Sequence, residues 1–372
     1  MSIIILIAAS LISYLQAWSY TKTNDVSQYR LLLLLIIVLV SVIYFYLDVK
    51  NKKRQLFLYE KVSWGVLFLL VLVTSFDAQK FYLLIPFVLG FIFATTPIKK
   101  LIGQMIVIYS VFFCITFATS LITGRAAQGL WGFYHPNIAS GYLVGIQILL
   151  LLYSVYEPPK KTYLILPMLF IPVLNFLTVS SAGIIVSVLL SLLFFSRRRI
   201  HVYKHTNLIL FLSLLPCALN YIIILIYKMN LGGVGKFLDT ALSSRPYIWT
   251  KTTETYTFSL FPTKDKILFF DDSGTGYTMP IDSVYVQIPL ACGLLFSFIF
   301  LFLFLRFSLI GRKINLKHGE IKLNTLLLCH LLMLLYGIIE SHAIEYQVNP
   351  LIIIMIICVY RKYSLKEKDF LW

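Results

Sequence analysis

Long apolar runs separated by short polar stretches dominate the chain, with Leu31 to Leu47, Leu101 to Ile122 and Ile138 to Tyr156 the clearest. Runs of about 20 residues cross a bilayer as helices, because hydrocarbon gives the backbone no partner outside the helix itself. Hydropathy predicts about twelve spans, near 2–20, 31–47, 62–76, 81–96, 101–122, 138–156, 162–178, 181–195, 207–227, 284–305, 323–339 and 347–360. The runs at 62–76, 81–96, 181–195 and 347–360 are short for a span and fit tilted, re-entrant or half-buried helices as well. The first run has no basic residue before it and no small-residue cleavage pattern after it, so it reads as a retained helix. The expectation is one all-α, polytopic membrane domain over residues 1–372.

Composition agrees. Apolar residues make up 59% of the chain and charged residues only 13%, where a soluble protein carries about 25%. Charge orients the bundle. With the Lys50–Lys61 loop cytoplasmic, strict alternation puts both termini inside, with 22 of the 32 Lys and Arg residues inside and 10 outside. Ten of the 16 acidic residues fall outside, so the outer segments are neutral and the inner ones carry the whole net charge of +16. This is the positive-inside pattern. It puts Lys53, Arg198, Lys317 and Lys368 in the cytoplasm, and Arg125, Arg245, Asp282 and Glu340 on the outer face of the membrane. The basic balance therefore reports topology, and nucleic acid is not implied as a partner.

No Lys, Arg, Asp or Glu needs to sit at a span centre, which argues against a carrier of charged cargo. His330 lies deep in a span and reads as a helix–helix hydrogen-bonding group. Cys114, Cys217, Cys292, Cys329 and Cys358 all fall within apolar runs, without the spacing of a disulfide framework or metal site. Polar chemistry is expected at the outer surface.

Two outer segments stand out. In GLWGFYHPNIASGYL, Gly129 to Leu143, an outer loop re-enters the membrane through His135, Pro136 and Asn137, with Arg125 ten residues before the histidine. The 56 residues from Lys228 to Ser283 form the one long outer loop. It opens on a glycine hinge at Gly232–Gly235, and then Phe237, Leu238, Ala241, Leu242, Ile248 and Trp249 recur at the spacing of a helix lying along the bilayer. Ser243 or Ser244 is a candidate cap for a helix with Arg245 in its first turn. Periodicity alone favours an Arg245 that snorkels to lipid phosphates. Asp271 and Asp272, adjacent in a Gly/Ser-rich turn, read as solvated surface, whereas Asp282 opens the next span.

Arg125 with GFYHPN, Arg245 in SSRPYIW, IDSVYVQIPLACG and the closing YGIIESHAIEYQVNP together resemble the O-antigen polymerase and ligase superfamily, the Wzy-type polysaccharide polymerases. The resemblance covers most of the chain in order. It implies a GT-C-like fold of about twelve helices that joins oligosaccharide repeat units carried on undecaprenyl diphosphate, at the outer face of the membrane. The product would be an O-antigen, capsule or exopolysaccharide. No cofactor, metal or nucleotide sugar is implied; a flippase and a chain-length regulator are the implied protein partners. Two departures matter. The family often has Ser-Arg after the seventh span, where this chain reads TVSSAG with Ser180, Ser181 and Ala182. Ligases of the superfamily tend to carry a histidine where this chain has Asp282, so the resemblance favours a polymerase over a ligase. A lipid-linked oligosaccharide flippase is the alternative from another class.

The residues suit that chemistry. A diphosphate leaving group gains negative charge as the C1–O bond breaks, and without a metal a planar guanidinium is the natural stabiliser. Arg125 and Arg245 are the candidates. The attacking sugar hydroxyl needs a base within hydrogen-bond reach. His135, Asp282 and Glu340, all at outer span ends, can each meet that need, and the sequence leaves open which does. Asn137 is expected to orient His135 or cap the sixth span. Tyr134, Trp131 and Trp249 are candidate sugar-stacking platforms, and His342 and Glu345 read as loop polarity beside Glu340.

Overall fold

The computed structural model describes residues 2–17, 35–40, 58–77, 83–122, 131–133, 135–156, 164–197, 199–229, 232–262, 269–270, 276–277, 281–309 and 320–364, with further helical positions at 32, 42–43 and 46–47. Thirteen helices can be numbered along these residues: α1 (Ser2–Ala17), α2 (Leu58–Asp77), α3 (Leu84–Ile92), α4 (Ile98–Ile122), α5 (Pro136–Ser154), α6 (Ile165–Leu177), α7 (Ser181–Ser196), α8 (Thr206–Lys228), α9 (Gly233–Ala241), α10 (Arg245–Thr255), α11 (Val284–Ser308), α12 (Glu320–Tyr336) and α13 (Leu351–Ser364). Apart from an antiparallel pairing of Phe269–Phe270 with Gly276–Tyr277, the described elements are helical. Among the described residues α4, α5, α8 and α11 are long and apolar enough to cross a membrane, and five shorter apolar helices accompany them. This is consistent with a multi-pass membrane protein.

The outer helices wear apolar side chains outward. Val107 and Val111 on α4, Leu166 and Phe176 on α6, and Phe211 and Leu225 on α8 are all exposed. Such a surface suits hydrocarbon as solvent. α5 is the hub, buried along almost its whole length. It packs against α4, α6, α7 and α12. Polar side chains join it to its neighbours: Gln147 donates to the Ser187 carbonyl and to Ser191 Oγ, both at 2.9 Å, and Ser140 donates to Asn175 at 2.8 Å. Such bonds hold helices together where burial of apolar surface gives no net drive.

Small residues set the closest approach. Gly141 and Gly145 form a small-xxx-small stripe on α5, and the stretch Gln347–Val348 lies directly over it. A Cβ at Gly145 would meet the Gln347 carbonyl oxygen, and one at Gly141 would come within 2.8 Å of Val348 Cγ2. The segment between α12 and α13 is thereby pressed onto the first turns of α5.

α11 is broken in two places. Pro289 cannot donate to the Tyr285 carbonyl, which instead accepts from Tyr221 Oη on α8 at 3.0 Å. Four residues later Gly293 takes φ 83°, ψ 160°. The freed amides of Leu294 and Leu295 donate to the carbonyls of Ser259 and Leu260 at 2.8 and 3.1 Å. A stretch of the long loop thus plugs the helix break roughly 14 Å along the axis from the start of α11, which satisfies backbone groups that lipid could not.

The ends of the bundle are distinct. At one end the starts of α5, α10 and α11 meet the segment after α12, through contacts of Asn137, Arg245 and Asp282 with one another or with Glu340. At the other, Lys322 near the start of α12 lies over the Tyr156 ring at 4.6 Å, and Asn324 accepts from the Val202 amide at 2.8 Å. α5 and α12 therefore run antiparallel, as the charge alternation requires.

Candidate functional site

The HPN tripeptide builds one wall. Gly132, at φ 88°, turns the chain against the Thr116 carbonyl of α4, where any Cβ would clash. Phe133 then buries against Phe113 and Tyr142. His135 is extended and caps α5, its Nδ1 accepting the Asn137 amide at 3.2 Å. Pro136 follows in the first turn, where its missing N–H leaves no gap. Asn137 Nδ2 reaches across to donate to Glu340 Oε1 at 2.8 Å. The cap also assigns a tautomer: with Nδ1 accepting, a neutral His135 carries its proton on Nε2 and offers a donor.

Glu340 follows α12 in extended conformation, at the head of a 3₁₀ turn over Ser341–Ile344. The Val284 amide donates to the Gly337 carbonyl at 2.9 Å, which ties the start of α11 to the end of α12 and brings Asp282 alongside. Ser283 caps α11 by accepting the Tyr285 amide at 3.2 Å.

Arg245 enters from the long loop. Ser243 and Ser244 both adopt left-handed conformations, φ 53° and 61°, and α10 begins at Arg245. The expected serine cap is corrected here: neither serine side chain caps the helix, and Asp239 of α9 accepts the Tyr247 amide at 3.3 Å instead. Turned back on itself by two left-handed residues, the chain brings the α9 carboxylate to the exposed amides.

The guanidinium lies between two carboxylates. Nε is 3.4 Å from Asp282 Oδ2 and Nη2 is 3.5 Å from Glu340 Oε1. Charge-assisted bonds are ordinarily about 2.7–2.9 Å, so both contacts are loose, and buried Nε makes no hydrogen bond. The Tyr336 hydroxyl, buried and without a hydrogen bond, lies within the electrostatic field of Glu340 and Arg245. Spare donors gathered in one mouth suit an anionic, hydroxyl-bearing ligand.

Burial perturbs the acids. Loss of water raises the Glu340 carboxyl from 4.5 to about 7, with neighbouring Asp282 adding to the rise and His342, Arg245 and Asn137 opposing it. Asp282 is raised as well, by burial above all, against the pull of Arg245, His342 and His135. On the 3₁₀ turn, His342 Nδ1 is 2.8 Å from Glu345 Oε1. Burial lowers the imidazole's basicity, but Glu345, Glu340 and Asp282 outweigh it and leave the His342 pKa raised.

Of the residues singled out in the sequence, the fold therefore brings His135, Asn137, Arg245, Asp282 and Glu340 to one place. Arg125, Tyr134, Asp271 and Asp272 lie outside the described residues, as do Lys53, Arg198, Lys317 and Lys368. Trp249 does not line the site. It is fully buried with Ile224, Ile281, Val286 and Leu290, so its ring has no face for a sugar, and the stacking expectation is corrected. The second turn of α10 points it into the bundle. Trp131 packs on Phe113 and Phe117. His330 sits edge-on to Phe304 and Phe307, its Nε2 without a hydrogen bond, rather than tying two helices through that nitrogen. The sequence undervalues Tyr336 and the His342–Glu345 pair; the i,i+3 spacing of the latter was its one visible signal. No protein-family model, no curated protein and no solved structure matches this chain.

Proposed function

We propose that the chain is a polymerase that joins lipid-diphosphate-linked oligosaccharide repeat units at the outer face of a bacterial cytoplasmic membrane. In this reading about twelve spans form a GT-C-like bundle with both termini inside, and the donor and acceptor are carried on undecaprenyl diphosphate. One observation carries it: an arginine held loosely between two carboxylates, at a mouth assembled from four distant segments and framed by apolar outer helices. The guanidinium takes the diphosphate as C1–O cleavage loads it with charge. The incoming phosphate oxygens replace the long contacts to Asp282 and Glu340. Asp282, the more open of the two acids, orients the attacking hydroxyl, and Glu340, near half-protonated at neutral pH, limits the negative charge the diphosphate meets. His135 contributes its Nε2 proton as a hydrogen-bond donor. Arg125, upstream of the same wall, is the second arginine proposed for the diphosphate.

The test is a polymer ladder from cells lacking the native gene and complemented at equal membrane abundance. Arg245→Lys keeps the charge but loses the fork, and chain extension should fall sharply, leaving single repeat units. Asp282→Asn should do the same. Long unattached lipid-linked chains would indicate a ligase, units trapped inside a flippase, and wild-type ladders from both variants would overturn the assignment.

A further inference from the structure

The mouth contains two histidines whose partners oppose one another. His135 uses Nδ1 as an acceptor for the Asn137 amide, so in the neutral ring Nε2 carries the proton and donates. His342 points Nδ1 at Glu345 Oε1, 2.8 Å away. An ionised carboxylate only accepts, so this nitrogen donates and Nε2 is left with a bare lone pair. An imidazole held by an acid in this way is a proton acceptor with its orientation and tautomer both set.

We infer that His342 Nε2 takes the proton of the acceptor sugar hydroxyl and that Glu345 is its positioning residue; this rests on the glycosyl-transfer reading above. As the hydroxyl oxygen bonds to the anomeric carbon, the bond from that carbon to the phosphate oxygen breaks, and its electron pair leaves with the diphosphate. The hydroxyl proton passes to Nε2, Glu345 stabilises the imidazolium, and water later removes the proton.

The location fits the role. His342 acts on the charges of both Asp282 and Glu340, so it lies at the same mouth as the hydroxyl-orienting acid. The charged and titratable groups of this cluster come from several elements: Glu345 and Glu340 from its own segment and Asp282 ahead of α11 act on His342 itself, Arg245 on α10 and His135 at the start of α5 act on Asp282, and Tyr142 of α5 lies in the field of Glu345. The turn is not free to drift, because Asn349 Nδ2 donates to the Ala343 carbonyl at 2.9 Å, and Gln347–Val348 is seated on the glycines of α5. A raised His342 pKa also brings the base closer to a working neutral pH.

Two measurements test it on the full chain in proteoliposomes. The first follows the initial elongation rate against pH, using lipid-linked repeat units extracted from cells lacking this chain. The neutral imidazole is the working form, so the rate should rise with pH through the His342 pKa. Glu345→Gln removes the carboxylate that raises that pKa, and the acid limb should move toward lower pH, with a lower plateau. His342→Gln should cost about 10²–10⁴-fold, and His342→Gly should regain turnover with added imidazole. The second is independent of turnover: ¹⁵N-histidine spectra, assigned by difference with His342→Gln and His135→Gln, should show an Nδ1–H tautomer for His342 and Nε2–H for His135. An unmoved acid limb in Glu345→Gln, or an Nε2–H tautomer at His342, would overturn the inference. Loss of activity in Arg245→Lys beside such a result leaves the glycosyl-transfer reading intact. Wild-type activity in both Arg245→Lys and Asp282→Asn beside the expected tautomers would instead overturn that reading, and the proton transfer from a sugar hydroxyl with it.

Discussion

Glu340→Gln should stabilise the protein increasingly as pH rises above the ordinary carboxylate range. Glu340 is almost wholly buried and titrates near 7, against an ordinary 4.5. The folded protein therefore holds this proton more tightly than the unfolded chain does. By linkage, the contribution of the neutral acid is fully present below pH 4.5 and is lost as pH rises toward and through 7. A rise of that size corresponds to about 3 kcal/mol at pH 8, since each unit is worth about 1.4 kcal/mol. Glutamine mimics the neutral acid: it retains an oxygen for Asn137 and carries no charge to titrate. The variant should match wild type near pH 4 and exceed it by about 3 kcal/mol at pH 8.

Thermal unfolding of detergent-solubilised wild type and Glu340→Gln from pH 4 to 8 reads this directly, with the polymer ladder run in parallel. A substitution that stabilises at pH 8 and not at pH 4 marks an acid whose ionised form is buried at a cost to the fold. A variant that melts at or below wild type at pH 8, or a difference that does not change with pH, would show Glu340 to be a structural tie to Asn137 and Arg245.

Two further outcomes follow from the architecture. Gly145→Ala should lower membrane abundance and destabilise by about 1–3 kcal/mol, because its methyl meets the Gln347 carbonyl; Gly65→Ala on α2, with open space around it, is the matched control, and equal melting of the two would remove Gly145 as the seat of the segment carrying Glu340. For topology, single cysteines at exposed Lys204 and Lys251 should label oppositely with an impermeant reagent added to intact cells, Lys251 outside and Lys204 protected; labelling at Lys204 would invert the membrane assignment.

Helix positions are legible in this sequence because bilayer-length apolar runs are a local signal: α4, α5, α7, α8 and α11 begin and end within a few residues of the predicted runs. The site is partly legible for a related reason. Polar residues at span ends are few, so naming His135, Asn137, Arg245, Asp282 and Glu340 needs no knowledge of how the helices pack. What packing alone decides is not legible. Asn137 finds Glu340 across 203 residues. The cap of α10 comes from another helix rather than an adjacent serine. Gly293 reads as an ordinary transmembrane glycine until the Ser259 and Leu260 carbonyls fill the break. Trp249 fits a surface stripe by periodicity, but the direction of that stripe depends on the neighbours of α10.

Buried polar atoms without hydrogen bonds occur within the bundle, as at Asn220 and His330 Nε2, and again beside the acids of the mouth. Deep in the bundle, groups such as Gln147, Ser187 and Ser191 satisfy one another. At the mouth, Arg245 Nε and the Tyr336 hydroxyl are buried with no hydrogen bond. Each such group costs about 1–3 kcal/mol, and the two at the mouth stand beside two acids of raised pKa. In the proposed function the phosphate oxygens of the donor accept from both, which ties these two atoms to the long contacts of Arg245 with Asp282 and Glu340.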